Sequence, residues 1–252
     1  MRHMYLAIIL LIGCGYAFSD KQKLNPRQIK AISVSQVFPL LNDKGKLIQL
    51  DTGNVKIYYY EKIRLYNLSY RFDSLGEDGE KVVLSETRHH FFIYHSDSSY
   101  GYSYDSRFTP SIQRVAVDSV FQGEWIVMTK LYPIYTDNIT ELMTMKRNPD
   151  SDTIYESYLL KHKDTGKEYG TFFLGYVKKD STIPYSLCKE LDSIKQMRLF
   201  KIQVKYYREY LDAYKITVDS REWSYDVTDH SLSEAERKKI TAYFVQYINN
   251  SH

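Results

Sequence analysis

Residues 54–104 constrain this chain more than any other stretch, because aromatic and β-branched residues alternate through them over lengths that suit strands. Val55, Ile57, Tyr59, Ile63 and Leu65 share one parity, whereas Tyr66, Leu68, Tyr70 and Phe72 share the other. Side chains on a strand alternate with a period of two, so the change near Leu65-Tyr66 predicts a bulge or bend. A long strand that bends belongs in a curved sheet or a barrel-like fold. Gly76-Glu77-Asp78-Gly79 and Ser96-Asp97-Ser98-Ser99 supply turns, which makes two successive hairpins. The 25 Tyr, against 11 Gly and 6 Pro, suit half-buried pleated surfaces where the ring packs and the hydroxyl stays wet.

The same grammar runs through the rest of the chain. Residues 29–41 and 46–50 form a hairpin around Asn42-Asp43-Lys44-Gly45, and Asp51-Thr52-Gly53-Asn54 makes the next turn. Thr109-Pro110 opens a short helix carrying Ile112, Val115, Ala116, Ser119 and Val120, closed by Gly123. Residues 125–132 and 139–145 return to strand. Residues 154–162 and 169–177 flank a hairpin turn at Lys163-Asp164-Thr165-Gly166-Lys167. Residues 185–197 are expected as helix, and 200–206, 214–218 and 222–227 as strands. Ser233-Glu234-Ala235-Glu236 is a capping box, in which Ser233 accepts from the Glu236 N–H and the Glu236 side chain reaches back. Ile240, Tyr243, Phe244, Tyr247 and Ile248 then form an amphipathic stripe. The fold class is α+β, mainly antiparallel β: a curved sheet or half-barrel with a short middle helix and a C-terminal helix packed on it.

Residues 1–19 read as a signal peptide, with Met1-Arg2-His3 ahead of the apolar run Leu6-Ala7-Ile8-Ile9-Leu10-Leu11-Ile12. That run is shorter than the roughly 20 residues a spanning helix takes. Two maturation routes are compatible with it. Ala17-Phe18-Ser19 is a small-x-small cleavage site that would release a soluble, secreted protein. Leu11-Ile12-Gly13-Cys14 resembles the lipobox of bacterial lipoproteins in all four positions, and is the preferred route. The resemblance implies that Cys14 is lipidated, becomes the first residue of the mature chain, and anchors it to a membrane of the bacterial envelope, outer membrane or periplasmic. Residues 20–28 are then a tether, and 29–252 a single β-rich domain. In general style the Tyr- and Lys-rich β-meander behind such a leader resembles envelope lipoproteins of Gram-negative bacteria.

The chemistry-bearing residues form no convergent set. A formal charge of +3 from 34 basic and 31 acidic residues is too balanced for a nucleic-acid footprint. Asp51-Thr52-Gly53 and Asp164-Thr165-Gly166 resemble the paired loops of aspartic proteases, whose two carboxylates share a proton. Here Asn54 follows the first tripeptide and Lys163 and Lys167 enclose the second, which favours turns. His89 and His95 share a strand face but lie about 20 Å apart at 3.3 Å per residue, too far for one metal ion. With Cys14 lipidated or removed, Cys188 has no disulfide partner and reads as a small buried hydrophobe. The sequence therefore nominates no catalytic residue, metal ligand or cofactor. Tyr100, Tyr102 and Tyr104 put three rings on one strand face and are the nominated ligand-binding residues. Two functions remain: a non-catalytic binding or assembly module for a hydrophobic, glycan-like or protein ligand, or a secreted hydrolase using Asp51 and Asp164 on envelope or extracellular polymer.

Overall fold

The computed structural model describes residues 24–75, 82–105, 113–123, 139–148, 150, 152–178 and 185–250. The leader, Cys14, the Gly76–Gly79 turn and the strand expected over 125–132 lie outside them. The first strands are β1 (Lys30–Leu41), β2 (Leu47–Tyr60), β3 (Ile63–Leu75), β4 (Val82–His95), β5 (Tyr100–Tyr104) and β6 (Gln113–Ala116). They are followed by β7 (Ile139–Asn148), β8 (Thr153–Lys161), β9 (Glu168–Lys178), β10 (Met197–Tyr206) and β13 (Arg221–Asp229). These eleven make one curved, unclosed antiparallel sheet in the order β6-β5-β4-β3-β2-β1-β13-β10-β9-β8-β7. A separate small hairpin joins β11 (Glu209–Leu211) to β12 (Ile216–Val218). The helices are α1 (Val117–Gly123), α2 (Lys189–Lys195) and α3 (Glu234–Asn250). The fold class is α+β and mainly antiparallel β, as the alternation predicts.

The parity change has a different cause from the one expected. β2 ends at Tyr60, the chain turns through Glu61 and Lys62, and β3 returns with Tyr60 opposite Ile63 and Ile57 opposite Tyr66. A two-residue loop makes opposed positions differ in parity, so odd residues of β2 share a face with even residues of β3. Ile57 and Tyr66 thus enter one core while Tyr58 and Leu65 enter the other. Glu61 takes the left-handed backbone (φ 50°) that such a tight turn needs, without the Gly or Asn that marks it in sequence. Bulges occur elsewhere: the register shifts across Phe200 in β10 and Met143 in β7, which bends those strands.

Three further expectations are corrected. Asp51-Thr52-Gly53-Asn54 is not a turn but mid-β2, where Phe38 pairs with Asp51 and Gln36 with Gly53. Twelve residues of β1 need that length of partner strand, and the Gln36 side chain lies over Gly53 where a Cβ would otherwise stand. Residues 113–116 pair with β5 before the helix begins at Val117, since the sheet ladder takes their N–H groups. Residues 185–188 precede α2 outside the helix, with the Leu187 N–H donating to the Leu199 carbonyl at 3.3 Å and Cys188 extended, and Gln196 (φ 54°) ends the helix.

Both faces of the sheet carry a buried cluster. One face carries Ile32, Val34, Ile57, Tyr66, Phe92, Leu160, Phe172, Leu174, Ile202, Val204 and Val227 beneath Leu187, Cys188 and Leu191. On the opposite face, Ala31, Tyr58, Tyr60, Leu65, Phe91, Ile93 and Tyr104 pack under Ile240, Tyr243, Phe244 and Tyr247 of α3. Leu24 packs against this second cluster too, so the chain enters the sheet on the α3 side at the start of β1.

Candidate functional site

The two ends of α3 meet the sheet in different ways. At its start, Ser233 Oγ accepts from the Glu236 N–H at 3.2 Å, which is half of the expected capping box. The Glu236 side chain turns to the sheet instead, where stronger donors wait. Its carboxylate accepts from Tyr58 OH at 2.8 Å and Lys56 Nζ at 3.1 Å, and lies 3.0 Å from His230 Nε2. Burial pushes its pKa up, but the bonds to His230, Tyr58 and Lys56 outweigh that and hold it below the usual value. Burial, then Glu236 itself, pushes the Tyr58 hydroxyl well above its ordinary range, so it remains a donor. Arg237 adds bonds to the carbonyls of Pro26 at 2.7 Å and Ile29 at 3.3 Å.

Toward its C-terminal end α3 packs through Tyr243, Phe244, Tyr247 and Ile248, and a cleft of about 660 Å³ opens there. The β2–β3 turn supplies Tyr60, Glu61, Lys62 and Ile63, and the β4–β5 turn supplies His95 and Ser98. Tyr100 and Tyr102 rise from β5, Arg114 from β6, and Tyr247 and Ile248 from the last turn of α3. A volume of this size suits a drug-sized ligand, and an apolar lining with a few polar groups suits recognition.

The rim has ordered electrostatics. Lys62 Nζ lies 2.6 Å from Asp97, whose carboxyl this hydrogen bond holds below its ordinary value. The Asp97 N–H donates to His95 Nδ1 at 3.3 Å. A neutral His95 accepting there carries its proton on Nε2. Ser98 Oγ accepts from the Tyr100 N–H at 3.1 Å and donates to the Tyr100 carbonyl at 2.8 Å, fixing the start of β5. The Arg114 guanidinium lies 4.4 Å from the centre of the Tyr100 ring.

The three nominated tyrosines are therefore not equivalent. Tyr104 is 2% exposed, sealed in the α3 cluster, and cannot reach a ligand. Tyr102 is half-buried with its ring 5.8 Å from that of Tyr247, edge-on. Tyr100, 46% exposed, offers the most open ring of the three. Tyr60, Tyr247, Ile248 and Arg114 also line the cleft and were not nominated by the sequence, which carries no Gly or Asn to mark the turn after Tyr60.

Elsewhere the other candidates disperse. Asp164 is exposed in the β8–β9 turn, whereas Asp51 belongs to β2, four strand spacings or about 19 Å away along the sheet. His89 Nδ1 lies 3.1 Å from Asn67 Oδ1, and His90 Nε2 lies 2.8 Å from Ser103 Oγ on the other face. Among the described residues no three His, Cys, Asp or Glu side chains converge. Cys188 is buried, and burial pushes its thiol up to about 11. It donates to Glu190 at 3.3 Å. On the face away from α3, Glu156 is buried and accepts from Tyr158 OH at 2.6 Å and Lys195 Nζ at 2.8 Å, tying α2 to β8.

No protein-family model matches the chain, and no curated protein does. Among solved structures, a Vibrio parahaemolyticus domain described as an outer membrane lipoprotein-sorting protein is similar at 8% sequence identity and a TM-score of 0.25. The match covers 85% of this chain and 91% of that one. A likeness that distant carries no argument about the site.

Proposed function

We propose that this chain is an envelope protein, anchored through lipidated Cys14, that binds rather than catalyses, and that its ligand enters the cleft at the C-terminal end of α3. The observation that carries the reading is the cleft itself: Tyr60, Tyr100, Tyr102 and Tyr247 line it together with Ile63 and Ile248. Ring faces and aliphatic carbons together take an apolar or ring-bearing body. The chain's path supports the anchored arrangement. Leu24 joins the fold beside α3 and Lys30 pairs with Tyr59, so the tether meets the sheet at the same strand ends as the β2–β3 turn. A lipid on Cys14 would keep these strand ends within a short tether's length of the membrane, and the several acyl chains of a bacterial lipoprotein would make the attachment stable.

Two measurements test this. Growth with a labelled fatty acid in a bacterial host should label the wild type and not Cys14→Ala; an unlabelled wild type removes the anchor from the proposal. For the cleft, the neutral dye N-phenyl-1-naphthylamine should bind saturably, and Ile248→Trp, which fills the cavity from the helix end, should abolish that binding. Undiminished binding in a folded Ile248→Trp protein would place the ligand site elsewhere.

A further inference from the structure

Resting on the cleft as the ligand site, we infer that its ligand carries a carboxylate or phosphate joined to the apolar body, and that Arg114 receives this group. Arg114 sits opposite Tyr102 in the β5–β6 ladder and reaches diagonally to the Tyr100 ring. A guanidinium held against a ring face keeps its five N–H donors in its own plane, because the ring uses its face and not its hydrogens. That plane is the fork that matches two oxygens of a carboxylate or phosphate. No carboxylate of the described residues forms an ion pair with Arg114, whereas the other cation of the lining, Lys62, is already held by Asp97.

The charge around the cleft also orients the ligand. Glu61 belongs to the β2–β3 turn, at least three strand spacings or about 14 Å along the sheet from β6. The last turn of α3, with Tyr247 and Ile248, carries the partial negative charge of a helix C-terminus. Both disfavour an anion at their own side of the cleft. The anionic group therefore lies toward β6, on Arg114, and the apolar body runs between Tyr100 and Tyr102 toward Ile63 and Ile248. Tyr100 serves twice, carrying the Arg114 guanidinium over its ring and bounding the cleft.

The test compares two dyes with the same aromatic body: 8-anilinonaphthalene-1-sulfonate, which is anionic, and neutral N-phenyl-1-naphthylamine. The expected result is an affinity ratio of about five in favour of the sulfonate, the size of one exposed charge contact. Arg114→Gln should bring that ratio to about one, Arg114→Lys should keep part of it, and added salt should erode it in the wild type. Equal affinity for both dyes in the wild type, or a ratio untouched by Arg114→Gln, overturns the anion assignment and leaves the cleft standing. Saturable binding of neither dye overturns the cleft reading itself. Displacement of the sulfonate by dodecanoate or dodecyl phosphate, but not by dodecanol or inorganic phosphate, supports an anion joined to an apolar body. Inorganic phosphate displacing it as well as dodecyl phosphate would show that the body contributes nothing, and overturn the joined ligand.

Discussion

Each face of the sheet carries a helix, yet the two helices are held by different means. Seventeen-residue α3 buries Ile240, Tyr243, Phe244 and Tyr247 and adds a polar clamp at its start, where Glu236 gathers Tyr58, Lys56 and His230. Seven-residue α2 buries only Leu191 and is tied down at its end by the Lys195–Glu156 pair and at Asp192 by the Leu199 N–H at 2.6 Å. A long amphipathic helix can hold by apolar area, so its polar contacts set position; a two-turn helix depends on its polar contacts for attachment. The difference also explains where the opening lies. The clamp is confined to one end of α3, so the other end leaves room beside the rings.

Five substitutions would break or sharpen this contrast. Phe244→Ala removes a ring fully buried between α3 and Tyr60 and should cost about 3–5 kcal/mol in denaturant unfolding. A loss under 1 kcal/mol would mean that α3 is not held by area. Glu156→Gln should cost about 2 kcal/mol, less than a fully buried pair because Lys195 retains 26% exposure and can turn toward water. Hydrogen exchange should then rise in α2 and not in α3; exchange rising equally in both would show that the faces are coupled.

Glu236→Gln should cost only about 1 kcal/mol near neutral pH, since the amide still accepts from Tyr58. Its pH signature is more telling. The folded carboxyl is held low, so its stabilisation is present above the unfolded value near 4.3 and is lost as pH falls through the folded value. Wild type should therefore lose more stability on acidification than Glu236→Gln, with the difference vanishing at the acid end. Parallel pH curves would contradict the clamp. Smallest in stability is Tyr100→Ala, expected within about 0.5 kcal/mol because the ring is exposed. It should nevertheless weaken dye binding several-fold, whereas Tyr104→Ala should act on stability; the reverse assignment would move the site.

Alternation of Tyr, Val and Ile determined the strands, because the side-chain period of two is a local property. Ser233 and the stripe from Ile240 to Ile248 likewise determined α3, since a cap and an apolar face are each written by residues three or four apart. The turn at Glu61-Lys62 escaped because nothing but the left-handed backbone of Glu61 marks it, and that conformation is imposed by the pairing of Tyr60 with Ile63. Pairing with β1 decided the fate of Asp51, which a local reading makes a turn and a twelve-residue partner strand makes a ladder position. The cleft was only partly legible. Tyr100 and Tyr102 were visible as rings on one strand face, but Tyr104 looks identical in sequence and differs only because α3 covers it. Arg114 and Tyr60 are 54 residues apart along the chain and meet across the strand ends of β2 to β6. Such meetings follow from strand order and from where a helix stops, which only the tertiary structure decides, because both depend on contacts between residues that local propensity treats as independent.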